Sequence, residues 1–105
     1  MATAQPSHND PTQVDSKHYT IELETEQIRV LRAKYGPHEK SQMHSHPALI
    51  AVMVTDAHLR MSYPDGTSEE VNAKAGDVMN MAATVHQPEN LGDSPMEVVL
   101  VELKK

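Results

Sequence analysis

At 105 residues and a net charge of −6, the chain has room for one domain and one core. Only 38% of it is apolar, below the ~45–50% of typical globular chains. No basic patch carries interleaved aromatics, which excludes nucleic acid as an expected partner; with no Cys, disulfides and thiolate ligands are excluded too.

Residues 1–16 are polar, with two prolines and no hydrophobic period, and read as a flexible tail. The expected division is an N-terminal tail over 1–18, free to exchange between subunits, and one domain over 19–105. The opening residues lack the charged-then-apolar pattern of a secretory signal, and no apolar run approaches the ~18–20 residues of a membrane span. A cytoplasmic protein with no membrane partner is the expectation.

From Tyr19 onward strand signals recur at short, even spacing. YTIELE alternates Tyr19, Ile21 and Leu23 against Thr20, Glu22 and Glu24, and QIRVLRAKY alternates in the same way. SQMHSH and ALIAVMV follow. AHLRMSY and SEEVNA flank Pro64-Asp65-Gly66-Thr67, a hairpin turn with Pro and Gly where one needs them. Gly76-Asp77 opens DVMNM, TVHQPEN comes next, and PMEVVLVEL closes the chain. No long segment has a 3.6-residue period, so the fold class is all-β, a sandwich or barrel; the jelly roll belongs to that class.

His44 and His46 stand one residue apart in MHSHP, and alternate residues of a strand share a face. His86 lies in the later strand-like TVHQPEN. Three neutral imidazoles converging on one point would suit Zn, Fe, Cu, Ni or Mn. Gln42 shares the parity of His44 and His46. That leaves it either as a hydrogen-bond donor into the same cavity or as a residue closing the barrel mouth. Glu89 is a tempting carboxylate, but His86, Pro88 and Asn90 share one face and Glu89 points the other way.

In this order, Gly36, His44, His46, Gly76, His86 and Asn90 resemble the two motifs of the cupin family, over roughly residues 20–103. The resemblance implies a double-stranded β-helix, a jelly-roll barrel, with His44, His46 and His86 as metal ligands. It also implies that Asn90 fixes the turn after the metal-bearing strand. The family's glutamate position falls on Ile50, its later glycine on Ala57, and its Pro-x-Gly turn on Ala82-Ala83-Thr84. A three-histidine set without the glutamate is similar to that of the thiol and diketone-cleaving dioxygenases. One divalent transition metal per chain is then expected. Fe(II) is favoured, with Zn, Mn, Ni or Cu as alternatives, and the substrate is a small chelating or enolisable molecule. The other readings are a redox-silent metal-dependent lyase or isomerase, and a non-catalytic binding cupin. Small cupins are commonly dimers, so a homodimer is expected, with YTIELE and PMEVVLVEL as strands available to pair.

The remaining candidates divide by position. Ile50, Val52, Met79, Met81 and Val98 are candidate walls of an apolar pocket, and Met53 and Met61 belong to the interior or a dimer interface. His8, His18 and His58 read as surface histidines, His38 as a solvated loop residue, and Arg32 and Arg60 as surface cations.

Overall fold

A computed structural model describes residues 9–104, so His8 lies outside the described part. Tail residues within that part are packed against their own chain. Residues Pro11–Val14 form one helical turn, α1, whose N-cap Asp10 accepts a hydrogen bond from the Thr12 amide at 2.9 Å. Asp10 also meets Arg29 at 2.8 Å, and Pro11 is buried.

Nine strands follow among the described residues. They are β1 (Tyr19–Glu24), β2 (Ile28–Tyr35), β3 (His44–His46), β4 (Leu49–Met53), β5 (Ala57–Ser62), β6 (Ser68–Ala73), β7 (Val78–Met81), β8 (Thr84–Asn90) and β9 (Met96–Leu103). They pair antiparallel into two sheets, one in the order β1-β2-β9-β4-β7 and the other in the order β3-β8-β5-β6. The β5–β6 hairpin turns where expected, with Gly66 at φ 91°, a backbone region that costs glycine nothing and other residues a good deal. No helix among the described residues is long and apolar enough to cross a membrane.

Period-2 alternation places the core between the sheets. In β4, Leu49, Ala51 and Met53 are buried while Ile50 and Val52 are half-exposed. In β9, Met96, Val98, Leu100 and Glu102 form the buried row. The apolar members of both rows meet Leu31, Ala33 and Tyr35 of β2 and Leu59 of β5 in one cluster. Val, Ile and Leu at alternate positions fit a pleated surface buried on one side, which is why these short segments are strands.

Candidate metal centre

The site is built by register. In the β3–β8 pair, His44 sits directly opposite His86, and His46 opposite Thr84. Residues opposite one another in an antiparallel pair share a face, and so do residues two apart along a strand. All three imidazoles therefore project between the sheets, where His44, His46 and His86 are 0%, 5% and 4% exposed. Their rings stand edge-to-face, with centroids 4.8 to 5.2 Å apart. One ligand nitrogen from each lies within 4.8 Å of the others.

Hydrogen bonding decides which nitrogens face the common point. His44 Nδ1–H donates to the Gln42 carbonyl at 2.8 Å, with the Ser41 hydroxyl 3.0 Å away. His46 Nδ1–H donates to the Glu102 carboxylate at 2.7 Å. Both bonds leave Nε2 unprotonated, and an oriented imidazole with its other nitrogen tied to a carbonyl or carboxylate is the usual support of a metal ligand. His86 Nε2 is buried and, among the described residues, has no hydrogen-bond partner. A buried polar nitrogen left unsatisfied is costly unless something occupies it. Burial, followed by the neighbouring His46, holds the His44 pKa down at about 4. Burial, followed by His46 and His44, holds that of His86 at about 3. Both rings are neutral at pH 7, the form that donates a lone pair to a metal. The donor set fits a borderline transition-metal ion held by three nitrogens.

Support extends outward on two sides. Glu102 is 3% exposed and joins His46 to Arg29, whose guanidinium donates to it at 2.9 Å. Arg29 in turn meets Asp10 of the α1 cap. On the other side the Ser41 hydroxyl donates to Asp15 at 2.6 Å. Asp15 also accepts from His18 Nδ1 at 2.8 Å, and His18 Nε2 reaches Glu39 at 3.0 Å. The His18 ring stacks on Tyr35 at 4.4 Å. Inside the barrel, the Tyr19 and Tyr35 hydroxyls share a hydrogen bond of 2.7 Å, and the Tyr19 oxygen stands 3.3 Å from His44 Nε2. Burial, followed by the proximity of Tyr35, keeps Tyr19 protonated far above the ordinary phenol range.

Beside the histidines is a cavity of about 50 Å³, walled by methionines 53, 61, 79, 81 and 96 together with Leu49, Ala51, Val98 and Leu100. His46 and Glu102 also border an open surface cleft of about 950 Å³ with Arg29 and Lys104.

The structure unites the three predicted histidines and corrects several of their expected neighbours. Gln42 does not point into the cavity: it is exposed, because β3 begins only at His44 and strand parity does not reach back to it. Its contribution is a backbone carbonyl. Ile50 and Val52 are not pocket walls, since the inward parity of β4 belongs to Leu49 and Ala51. With Ile50 at the motif glutamate position, no carboxylate from β4 faces the histidines. His18 is 6% exposed rather than a surface residue, held by two carboxylates.

The other assignments stand. Met53, Met61, Met79, Met81 and Val98 line the interior. Glu89 turns away from His86 toward Arg60, and Arg32 pairs with Glu22 and Glu97. His58 is half-exposed and meets Glu70, and His38 lies in an exposed loop against Asp93. Tyr19, Glu102, Arg29, Asp15 and Ser41 escaped the sequence reading. The signal for Glu102 was present, since it extends the inward row Met96-Val98-Leu100 by one step.

No protein-family model and no curated protein sequence matches the chain. Solved structures do. A cupin domain from Bordetella pertussis Tohama I superposes with a TM-score of 0.76 at 22% identity, covering 83% of this chain and 92% of that one. An RmlC-like cupin with a double-stranded β-helix fold from Methanocaldococcus jannaschii gives 0.62 at 17% identity, covering 85% and 83%. Bacillus subtilis oxalate decarboxylase, described with Mn(II) centres, gives 0.57 at 25% identity, covering 73% of this chain and 22% of that one. The chain thus has the double-stranded β-helix fold of the cupins, and its barrel holds a three-histidine cluster that could bind a metal ion.

Proposed function

We propose that this protein is a metal-dependent cupin, an iron(II) dioxygenase acting on a small chelating or enolisable substrate at His44, His46 and His86, and that it works as a homodimer. The observation that carries the metal reading is the buried, partnerless Nε2 of His86 facing the two other imidazoles. Iron held there would supply a Lewis acid and a means of activating oxygen, with coordination positions left open by the missing carboxylate. The chain's own residues do the rest. Glu102 and the Gln42 carbonyl fix the orientation and tautomer of His46 and His44. The methionine walls exclude bulk water and strengthen electrostatic attraction at the site. The enclosed space of about 50 Å³ favours a compact ligand over a sugar. The homodimer reading rests on edge strand β1, where Ile21 and Leu23 are 49% and 54% exposed.

Elemental analysis of native, untagged protein tests the metal reading, with one transition metal per chain expected and near-complete loss in His86→Ala. Oxygen uptake by iron-loaded protein with a 1,3-dicarbonyl or a thiol tests the dioxygenase reading; no uptake across a broad panel at full iron occupancy counts against it. The fold likeness to a Mn(II)-containing decarboxylase favours a second reading, a redox-silent lyase or isomerase. Turnover that survives strict anaerobiosis would identify it.

A further inference from the structure

Tyr19 is 4% exposed and stands on the opposite sheet from the histidines, its ring 5.0 Å from that of His44 and 6.1 Å from that of His46. His44 carries its proton on Nδ1, where the Gln42 carbonyl accepts it. His44 Nε2 is then an acceptor. The Tyr19 hydroxyl stands 3.3 Å from it and 2.7 Å from the Tyr35 hydroxyl, so a Tyr19 O–H turned toward His44 donates to Nε2 and leaves the Tyr19 oxygen to accept from Tyr35. That arrangement lasts only while the Nε2 lone pair is free. Once the lone pair is committed to an ion, the Tyr19 proton must find another acceptor inside an apolar barrel, because an unmet buried donor is costly. An oxygen of a small ligand held at the same centre would supply a new acceptor.

We propose that the Tyr19 hydroxyl is the group that grips the small ligand at this centre, and that it selects ligands presenting an anionic oxygen: a hydroxide, a carboxylate or an enolate. The inference rests on the metal-site reading above. Tyr35 serves as the donor that keeps the Tyr19 oxygen turned inward. The competing arrangement has Tyr19 swing its proton to Tyr35, in which case the ligand gains nothing from it.

The test uses the full-length protein loaded with Co(II) and titrated with acetate, read through the cobalt d–d absorption. Tyr19→Phe should weaken acetate binding about tenfold with cobalt affinity unchanged within about twofold, while Tyr35→Phe should weaken acetate by less than about threefold. Acetate affinity unchanged in Tyr19→Phe, or reduced equally by both substitutions, overturns the proposal. Failure of wild-type protein to take up cobalt overturns the metal reading itself, a result distinct from normal uptake with indifferent acetate affinity. Should Tyr19→Phe not fold by circular dichroism, the double variant Tyr19→Phe/Tyr35→Phe leaves no orphaned hydroxyl and is titrated in its place, with the same tenfold loss expected.

Discussion

Asn90 shows how completely one side chain can be committed. It is 1% exposed; its Nδ2 donates to the Gly36 carbonyl at 3.0 Å and the Ser94 carbonyl at 2.9 Å, and its Oδ1 accepts from the Gly92 amide at 2.9 Å. It ties together the loop after β2 and the turn after β8. Asn90→Ala should cost about 2–3 kcal/mol in urea unfolding, because buried backbone groups lose partners. Glu102 is committed to the site instead. Glu102→Gln keeps the volume and removes the charge between Arg29 and His46, so chelator competition should show metal affinity reduced ~10–100-fold. The histidines were legible in the sequence because His44 and His46 alternate and a family motif fixes their order. His18 and Asp15 were not, because charged residues in a polar tail look solvated until their partners are known; Glu102 carried a signal only in the inward row of β9. Gln42 failed for a different reason: parity carries no information beyond the point where a strand begins.

At the scale of elements, the strands were legible from alternation and turn chemistry, while their burial was not always so. Ile21 and Leu23 alternate as core residues should, yet β1 lies at a sheet edge and only its Tyr19 is buried. An edge strand with exposed apolar side chains and free backbone groups invites pairing with a second copy. Light scattering after size exclusion should give twice the chain mass for wild type, and Leu23→Lys should shift it to monomer without loss of fold. A persistent dimer in that variant would place the interface elsewhere. The turn α1 was unreadable from composition alone, since its anchors, Arg29 and the buried seat of Pro11, come from distant parts of the chain.

For the molecule as a whole, the buried histidines set the acid limit of the metal-free protein. An unfolded chain protonates His44 and His86 near pH 6.5, whereas the folded chain refuses those protons until about 4 and about 3. Between those limits the unfolded state binds more protons, so stability present at neutral pH is lost as pH falls. The loss is about 1.4 kcal/mol per pH unit for each histidine within its window. Urea midpoints of metal-free protein should therefore fall from pH 7 to pH 5. Bound metal opposes this only through its free concentration relative to its dissociation constant, so its protection should fade as protons compete for the nitrogens.

Strand β3 has three residues, two of them histidines, and among the described residues lies at the edge of its sheet, paired with β8. A strand so short has little ladder to hold it. In the metal-free protein it should open locally, at less cost than global unfolding. An ion shared between β3 and β8 would act as a rivet across that pair. Amide hydrogen exchange at the backbone of residues 44–46 would then record occupancy of the site directly, slowing by orders of magnitude on loading, while exchange in β2 and β9 stays nearly unchanged.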